Sequence, residues 1–457
     1  MDEPVKNLGW RVTFAGTGIN LALGVLYAWS TLKKEIPASW GWSDFQKNLP
    51  YSICCLVFAL TMVPAGRAQD RIGPRWVAMT GGLAVGAGMI LASFFTTYIG
   101  FIVGFGLLAG IGIGMGYASA TPPAVKWFPP QRTGLIAGLV VAGFGLASVY
   151  ISPLVKFLIG AYSVARPDGS LDSGPGVQAT MFILGIAFLI VVGLLSQLLA
   201  VPPAGWKPAV PASAAKSPPK AAVDYTWQEM LATPQFYLLW IMYVLAAGAG
   251  LMIIANLAPI ISLQGGKELG KHAFYFVAFL AVGNASGRIL AGMLSDRIGR
   301  RGTMLIVFVF QAVLMFALPQ ISGMEYGTAF TVFVVLAVLL GANYGANLTV
   351  FPATTKDYFG LKNFGVNYGW VFTAWGVGAV VLAQISGKVY DAVKEAQVQE
   401  MIAMGVTQAD AAKSAVGNYH LAYYIAGCGL LLAAALSFML KPPAAKAVPA
   451  EGPAATR

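Results

Sequence analysis

Charged side chains are scarce in this sequence: Asp, Glu, Lys and Arg make up only 10% of its 457 residues, whereas 57% are hydrophobic. A typical soluble domain carries about a quarter charged residues. The mean hydropathy of +0.70 agrees with this imbalance. The composition therefore excludes an ordinary soluble protein and indicates an integral membrane protein in contact with the lipid bilayer.

Cysteine and histidine are also rare, with three and two residues respectively. Cys54 and Cys55 are adjacent within one apolar run and Cys428 lies in the last one, which excludes a disulfide framework and metal-ligand spacing. We therefore expect no metal and no cofactor. His272 and His420 fall at the ends of apolar runs, where they could sense external pH but are badly placed for a central proton relay.

Long apolar runs are abundant, and a run of about 18 residues or more can cross a bilayer as a helix. The polar start of the chain lacks a small-residue cleavage site, so we expect a first transmembrane helix rather than a signal peptide. The sequence predicts twelve spans, with approximate limits 10–32, 48–66, 76–96, 99–123, 133–160, 178–200, 234–262, 271–294, 303–320, 328–350, 366–388 and 419–440.

The net charge of +11 raises the possibility of a nucleic-acid partner. However, the lysines and arginines are spread over short loops between apolar runs, which favours membrane topology over nucleic-acid binding. They are more frequent on the side that holds both termini, and the positive-inside rule then places both termini in the cytoplasm of a protein of the plasma (inner) membrane. We expect no nucleic-acid partner.

The chain divides near its middle. Residues 202–225 are rich in Pro, Ala and Lys, which is typical of a flexible linker. Thr226 and Glu229 have the spacing of a capping box and predict a short surface helix before Pro234 opens the seventh span. The predicted organisation is an N-terminal six-helix bundle (1–201), a linker (202–233), a C-terminal six-helix bundle (234–441) and a disordered tail (442–457).

The two halves resemble each other. GRAQDRIGPR (66–75) follows span two, and GMLSDRIGRR (292–301) follows span eight, 226 residues later. KWFPPQRTG (126–134) and DYFGLKNFG (357–365) follow spans four and ten at an offset of 231 residues. Such matched loops indicate a duplication, and repeated halves with a site between them are typical of a secondary transporter.

One segment departs from the repeat. Residues 388–418 carry mixed charges after span eleven, and Val398, Met401 and Ile402 are spaced for one helix face. We expect a short amphipathic helix outside the membrane, and a passive cap is its simplest function.

Arg288 stands out because no Asp or Glu lies inside any predicted span, and Lys156 is the other basic residue more than one position inside a span limit. At about 1.5 Å per helical residue, Arg288 lies roughly 12 Å from Asp296 and roughly 25 Å from Lys271, inside the hydrocarbon. A buried arginine normally faces a protein interior or an aqueous path, and a substrate anion is the partner it lacks. Lys156 lies near a span end and can extend to the interface.

The G-x-x-x-D-R-x-G-[RP]-R loops after spans two and eight resemble those of the major facilitator superfamily. Residues 226–240, 284–300 and 351–369 are similar to the oxalate:formate antiporter family, which is related to the monocarboxylate transporters. The resemblance implies an all-α membrane protein with the major facilitator fold, working as a monomer by alternating access. It implies small organic anions as substrates, including lactate, pyruvate, formate and oxalate.

Two departures from these relatives bear on the substrate. Oxalate carriers have a lysine on span eleven where this chain has Trp375, so one cation, Arg288, faces the substrate. Many proton-coupled monocarboxylate transporters have an aspartate where this chain has Asn284. A single guanidinium can neutralise a monocarboxylate through two parallel hydrogen bonds.

Further binding candidates surround Arg288. Asn284 lies one turn earlier on the same face and could instead serve in helix packing, while Asn256 could instead stabilise the backbone near Pro259. The remaining candidates are aromatic residues whose alternative is core packing; they are Tyr117, Tyr27, Tyr344, Phe372 and Trp375, the last two as walls for a methyl-bearing acid.

The loop signatures are assigned to gating rather than binding, through charge pairs and helix dipoles that latch the halves. Their residues are Gly66, Asp70, Arg71, Gly73, Asp296, Arg297, Gly299 and Arg300.

The sequence therefore predicts a secondary transporter of lactate- or pyruvate-like monocarboxylates, coupled to a proton or to a counter-anion. An oxalate/formate-type antiporter is the alternative. An enzyme would need convergent nucleophiles, acids or metal ligands within the spans, and a channel would need a selectivity ring; neither pattern is present.

Overall fold

Helices dominate the computed structural model, which describes residues 7–129, 133–167, 170–203, 224–360 and 363–443, without the side chains of residues 70 and 133–135. Twelve helical segments are long and apolar enough to cross a membrane, which confirms the predicted number. In chain order the helices are α1 (Gly9–Leu23), α2 (Trp29–Glu35), α3 (Asp44–Ile72), α4 (Pro74–Ser93), α5 (Tyr98–Phe101), α6 (Gly110–Lys126), α7 (Thr133–Tyr162), α8 (Gly174–Ser196), α9 (Trp227–Leu231), α10 (Pro234–Gln264), α11 (Gly266–Lys271), α12 (Ala273–Ile298), α13 (Arg300–Ala317), α14 (Tyr326–Phe359), α15 (Phe364–Ala403), α16 (Gln408–Ser414) and α17 (His420–Ser437).

Short connections complete two of the spans. A 3₁₀ turn, Gly24–Ala28, joins α1 to α2, so that the first span is Gly9–Glu35. A π-helical stretch, Ile102–Ala109, joins α5 to α6. A small antiparallel hairpin of β1 (Val164–Ala165) and β2 (Leu171–Asp172) lies between α7 and α8.

The helix starts follow the capping chemistry of the sequence. Thr226 and Glu229 form the predicted capping box at the start of α9, and Pro234 is the first residue of α10. A second capping box, Ser43 with Gln46, starts α3. These side chains satisfy backbone N–H groups that a helix leaves unpaired at its first turn.

The two signature loops have the same backbone geometry. Gly73, between α3 and α4, has φ of 91°, and Gly299, between α12 and α13, has φ of 84°. Residues with a side chain rarely adopt this conformation, so glycine is needed for the chain to leave one helix and begin the next at once. The repeat seen in the sequence is therefore also a repeat of turn geometry.

The segment after span eleven differs from its prediction. Instead of a separate external helix, α15 continues without a break through Ala403 and reaches 40 residues. The sequence has no Gly or Pro between Gly387 and Gly405, so nothing ends the helix sooner. The predicted apolar face does exist: Val398 packs with Ala411 of α16.

The largest contacts between the halves are those of α3 with α15, α7 with α12, and α2 with α10. Glycines allow the close approach of α3 and α15, since an added Cβ at Gly376 would lie 2.8 Å from the side chain of Ala59. We call the face with both described chain ends and the signature loops the terminal face. The opposite one, where α2 ends and α3 and α17 begin, is the distal face.

The start of α3 is also held by the other half. Both carboxylate oxygens of Asp391, on α15, accept hydrogen bonds of 2.9 Å from the backbone N–H groups of Asp44 and Phe45. A carboxylate at a helix N-terminus satisfies free N–H groups and interacts favourably with the helix dipole. Asp391 therefore ties the distal ends of the two halves together.

Replacing this cap should destabilise the protein. We expect Asp391→Ala to reduce stability by about 0.5–2 kcal/mol, the usual range for loss of a capping group, and to lower the melting temperature in detergent. Glu400→Ala removes an exposed carboxylate from the same helix and is the control. Equal melting temperatures for the two variants would contradict the cap.

Candidate functional site

Arg288 lies in the middle of α12 with only 7% of its surface exposed. Its Nε donates to Asn284 Oδ1 at 3.1 Å, and its Nη1 donates to the backbone carbonyl of Val141 at 3.0 Å. Val141 belongs to α7 in the N-terminal half, so this arginine touches both halves. Its predicted position, away from lipid and between the bundles, is what the structure shows.

Charge compensation is missing at Arg288. The ion pairs among the described residues involve other cations, and the acceptors that Arg288 uses are a neutral amide and a neutral carbonyl. A buried cation without a counter-charge is unfavourable in a medium of low dielectric constant. The site is therefore suited to an anion that arrives from outside the protein.

Asn284 is fully buried one turn before Arg288. Because its Oδ1 accepts from the guanidinium, its Nδ2 must point elsewhere, and this Nδ2 has no partner among the described residues. A buried donor without an acceptor costs about 1–3 kcal/mol. The amide thus supplies an unused donor beside the cation.

Three of the predicted aromatic residues form one hydrogen-bonded chain between the halves. Trp375 Nε1 donates to Tyr344 Oη at 2.8 Å, and the hydroxyls of Tyr344 and Tyr27 are 2.5 Å apart. All three side chains are at least 97% buried. Because Tyr344 Oη accepts a hydrogen bond from the indole N–H, its own O–H can donate to Tyr27, which leaves the Tyr27 hydroxyl free to donate elsewhere.

Aromatic rings complete the wall of this region. Phe372 stacks on Trp375 with ring centroids 5.1 Å apart, and Phe58 contacts Trp375 at 5.2 Å. Tyr117 packs edge-on against Phe58, and its hydroxyl lies within reach of the Arg288 guanidinium. Five aromatic rings therefore meet in this region, with Phe144 as the fifth.

Phe58 and Phe144 were missed at the level of sequence. Phe58 lies on α3 and Phe144 on α7, where phenylalanine is ordinary in an apolar span and carries no signal of its own. Helix packing within the N-terminal half brings them to Tyr27 and Tyr117, and the packing of the two halves brings Phe58 to Trp375.

Lys33 is a second buried basic residue, which the sequence did not indicate. The first span was predicted to end at residue 32, and Lys156 and Arg288 were taken as the basic residues inside spans. In the structure the first span extends to Glu35, and Lys33 is 1% exposed. The span limit was placed too early for a physical reason. The carboxylate that compensates Lys33 belongs to Asp44 on α3, and no spacing pattern in the sequence shows that the two residues meet.

Lys33 is surrounded by acceptors. Its Nζ donates to Asp44 Oδ2 at 2.9 Å and to Asn48 Oδ1 at 3.0 Å, and it is also hydrogen-bonded to Asn256 Oδ1. Tyr419 donates to Asp44 Oδ2 at 3.2 Å. Asn256, predicted as a substrate contact, thus lies at the distal charge pair, where its Nδ2 also donates to Met252 O and Ser386 Oγ.

The distal polar cluster, which we define as Lys33, Asp44, Asn48, Asn256 and Tyr419, joins the two halves near the distal face. Lys33, Asp44 and Asn48 belong to the N-terminal half, and Asn256 and Tyr419 to the C-terminal half. The distal face is therefore closed by polar contacts in this conformation.

The residues of the signature loops lie on the terminal face. Arg300 pairs with Asp296 at 2.9 Å and with Asp357 at 2.7 Å, and all three belong to the C-terminal half. Arg71 and Arg297 are exposed, and the side chain of Asp70 lies outside the described part. Arg300 therefore braces α12, α13 and α14 against one another, and a role of the loops in gating stays a prediction.

Three basic residues that the sequence placed near span ends, Lys156, His272 and His420, lie at the distal face. Lys156 pairs with Glu35 at 2.7 Å and is 38% exposed. His272 precedes α12 and His420 begins α17. Within the described ranges, no group of three His, Cys, Asp or Glu side chains could hold a metal ion.

Two six-helix halves with a polar site between them have the organisation of a membrane transporter. The model of the Major Facilitator Superfamily matches residues 12–383, and the chain belongs to this family. The expected family and fold are thereby confirmed.

Relatives and solved structures agree with this assignment. The chain is 28% identical over 370 residues to an uncharacterized MFS-type transporter, YhjX, of Escherichia coli, covering 81% of this chain and 85% of that protein. It is 27% identical to the oxalate:formate antiporter of Oxalobacter formigenes, covering 77% of each, and 26% identical to apicoplast pyruvate carrier 1 of Toxoplasma gondii, covering 68% and 64%. A bacterial homolog of the human lysosomal transporter Spinster has the same fold, with a TM-score of 0.69, 18% identity and coverage of 96% and 98%.

Breaking the distal charge pair should be strongly destabilising. We expect Lys33→Met to reduce stability by about 3–5 kcal/mol, because it leaves the Asp44 carboxylate buried without its cation. The double variant Lys33→Met/Asp44→Asn should recover part of this loss. Thermal denaturation in detergent measures both.

Lys271→Met is the control for this comparison, since Lys271 pairs with Glu268 on the surface and its side chain is 65% exposed. Surface pairs contribute little to stability. If Lys33→Met melted like Lys271→Met, the compensation of Lys33 by Asp44 would be refuted.

Proposed function

We propose that this transporter carries small monocarboxylate anions of the lactate and pyruvate kind by alternating access, coupled to a proton or to a counter-anion. The single observation that carries the proposal is Arg288, a buried cation at the contact between the halves whose described partners are neutral. A carboxylate can complete its charge and its hydrogen bonds together.

The composition of the surrounding wall supports a monocarboxylate. Trp375, Phe372 and Phe58 present aromatic surface suited to a methyl group, while the phenols of Tyr117 and Tyr27 offer donors. One guanidinium balances one carboxylate, whereas a dicarboxylate would keep one charge uncompensated at low dielectric constant. The names of two relatives, a pyruvate carrier and an oxalate:formate antiporter, belong to the same substrate class.

Coupling, location and assembly are part of the proposal. The described contacts of Arg288 include no carboxylate, so the proposal names no residue as proton carrier: a proton would ride on the carboxylic acid or arrive through water, and a counter-anion is the alternative coupling. The excess of Lys and Arg on the terminal face supports cytoplasmic termini in the inner membrane. A single chain contains both halves and so suffices as a monomer.

An oxalate/formate-type antiporter is the alternative. The second buried cation, Lys33, favours it, because two cations could balance a dicarboxylate. However, Lys33 is already paired with Asp44 at 2.9 Å. At the position on span eleven where the resemblance expects a lysine, this chain has Trp375. The monocarboxylate assignment is therefore preferred.

Arg288→Gln should abolish transport while the protein still folds. A hydrogen bond to a charged group contributes about 1.5–3 kcal/mol, so we expect substrate affinity to fall roughly 10- to 150-fold. The measurement is uptake of labelled lactate, pyruvate, formate and oxalate into proteoliposomes, with and without a pH gradient. Arg11→Gln, at an exposed arginine, is the control.

Two outcomes of this experiment would count against the proposal. Wild-type uptake of oxalate above that of lactate would favour the antiporter alternative. Full lactate uptake by Arg288→Gln would show that Arg288 does not bind the substrate.

Trp375→Lys should shift the preference toward dicarboxylates. A second cation on α15 can pair with the second carboxylate, and we expect the ratio of oxalate to lactate uptake to rise roughly tenfold or more. Trp370→Lys places the same group one turn away, beside Trp227, and should leave the ratio unchanged. A folded Trp375→Lys protein with the wild-type ratio would refute the one-cation argument.

A further inference from the structure

A narrow cleft between the two halves lies near the distal face. Its walls come from α2 and α7 of the N-terminal half and from α10, α11 and the start of α12 of the C-terminal half. It has ≈ 180 Å³ of empty space, including the part open to solvent. Because its walls belong to different halves, separation of the halves at the distal face widens it. The polar residues in its lining are Thr31, Lys34, Glu35, Lys156 and Lys271.

Positive charge predominates in this distal cleft. Lys156 pairs with Glu35 at 2.7 Å, and Lys271 pairs with a glutamate outside the lining. Lys34 has no ion pair of its own among the described residues. Its ammonium donates to the backbone carbonyl of Gly270 in the other half, and it is attracted by Glu35 and repelled by Lys156. Three lysines thus share two carboxylates, which leaves one positive charge for an anion to balance.

Thr31 offers a free hydroxyl in the same cleft. It is only 3% exposed, and its Oγ1 has no hydrogen-bond partner among the described residues. A helical threonine can bond the carbonyl one turn earlier, as Thr13 does with Gly9 O at 2.8 Å. A buried hydroxyl without a partner costs about 1–3 kcal/mol. An oxygen atom of a ligand in the cleft would supply the partner that Thr31 lacks.

A polar face of α7 connects the cleft with Arg288. Gly145 lies beside this arginine, since an added Cβ would be 3.5 Å from Arg288 Nη2. Ser148, Ser152 and Lys156 follow at spacings of three, four and four residues, which places them on the same face of α7. The hydroxyls of both serines are buried without a partner in the described part of the chain. This face extends roughly 16 Å from Gly145 to the cleft at the helical rise per residue.

We propose that the distal cleft is a second anion site, in which small carboxylates bind to Lys34, Lys156 and Thr31 before they pass along α7 to Arg288. This inference rests on the proposed function and adds an entry site to it. When the distal face opens, Lys34 loses the carbonyl of Gly270, which belongs to the other half. Its ammonium then binds the arriving carboxylate.

Thr31→Cys tests the charge of the cleft. Cys428→Ser is combined with it to remove the exposed native cysteine, while Cys54 and Cys55 are buried. We expect a sulfonate-bearing methanethiosulfonate reagent to modify the new thiol roughly tenfold faster than a trimethylammonium-bearing one, because the lysines concentrate anions. Each rate is first divided by the rate of the same reagent with 2-mercaptoethanol. Mass spectrometry of purified protein in detergent follows both reactions.

The lysines are tested by the same ratio of rates. Lys34→Gln or Lys156→Gln should lower the ratio roughly threefold or more, and the ratio does not depend on how often the cleft opens, since both reagents need the same opening. Lys267→Gln, at an exposed lysine of α11 outside the lining, is the matched control and should keep the ratio. The inference is overturned by a ratio at or below one, by no modification with either reagent, or by equal ratios in all three variants.

Formate shows whether the cleft binds a carboxylate independently of Arg288. Compared with chloride at the same ionic strength, formate should slow the sulfonate reaction of Thr31→Cys even when Arg288→Gln is present. Adding Lys34→Gln should remove this protection. Protection that requires Arg288 would mean that the cleft is not a separate site.

Uptake kinetics test the entry site without a new cysteine. Lys156→Gln should raise the KM for lactate uptake roughly threefold at low ionic strength and keep the maximal rate, and the difference should shrink at high salt because salt screens the lysines. Lys267→Gln should keep the wild-type KM. A wild-type KM with wild-type salt dependence in Lys156→Gln would refute entry through the cleft.

The two proposals fail in different ways. If wild type takes up none of lactate, pyruvate, formate and oxalate while formate still protects the cleft, the proposed function fails and the cleft stays an anion site. If lactate uptake depends on Arg288 but formate gives no protection, the proposed function stands and this inference is wrong.

Discussion

A guanidinium that is buried without a counter-charge is the constraint on which the rest of this structure depends. Arg288 is 7% exposed, and its two hydrogen bonds end on an amide oxygen and a backbone carbonyl. Removing a charge from water costs several kcal/mol unless hydrogen bonds and an opposite charge replace the solvent. The described part of the protein supplies hydrogen bonds to this guanidinium but no opposite charge.

The second buried cation is compensated in the opposite way. Lys33 is paired with Asp44 and hydrogen-bonded to Asn48, and all three belong to the N-terminal half. When the halves separate at the distal face, this charge pair can stay together. The contacts that must break there include the one between Lys33 and the neutral amide of Asn256. The ion pair of Lys33 is thus kept within one half, and its contact across the halves is to a neutral amide, as the proposed alternating access requires.

Asp391 is the exception to this division, since its carboxylate in the C-terminal half caps α3 of the N-terminal half. A cap is weaker than a buried ion pair, and water can replace it when the face opens. The distal closure therefore combines a backbone cap, side-chain hydrogen bonds and glycine-mediated contact, each small enough to be reversible.

The sequence alone determined the features that follow from local chemistry. Twelve apolar runs require twelve helices, because a backbone inside lipid must satisfy its own hydrogen bonds. The positive-φ glycines of the signature loops, the capping box at Thr226 and the depth of Arg288 also follow from nearby residues. These features depend on spacing along the chain, which a sequence displays directly.

Tertiary structure decided which residues meet across distant segments. Phe58 and Phe144 join the aromatic wall, Asp44 compensates Lys33, and Gly145 lies beside Asn284 and Arg288 of α12. Asn256, which the sequence suggested as a substrate contact, lies in the distal polar cluster because of the packing of α10 against α2. Contacts between helices on different halves depend on the packing angle and register of two bundles, and no periodicity within one segment records them.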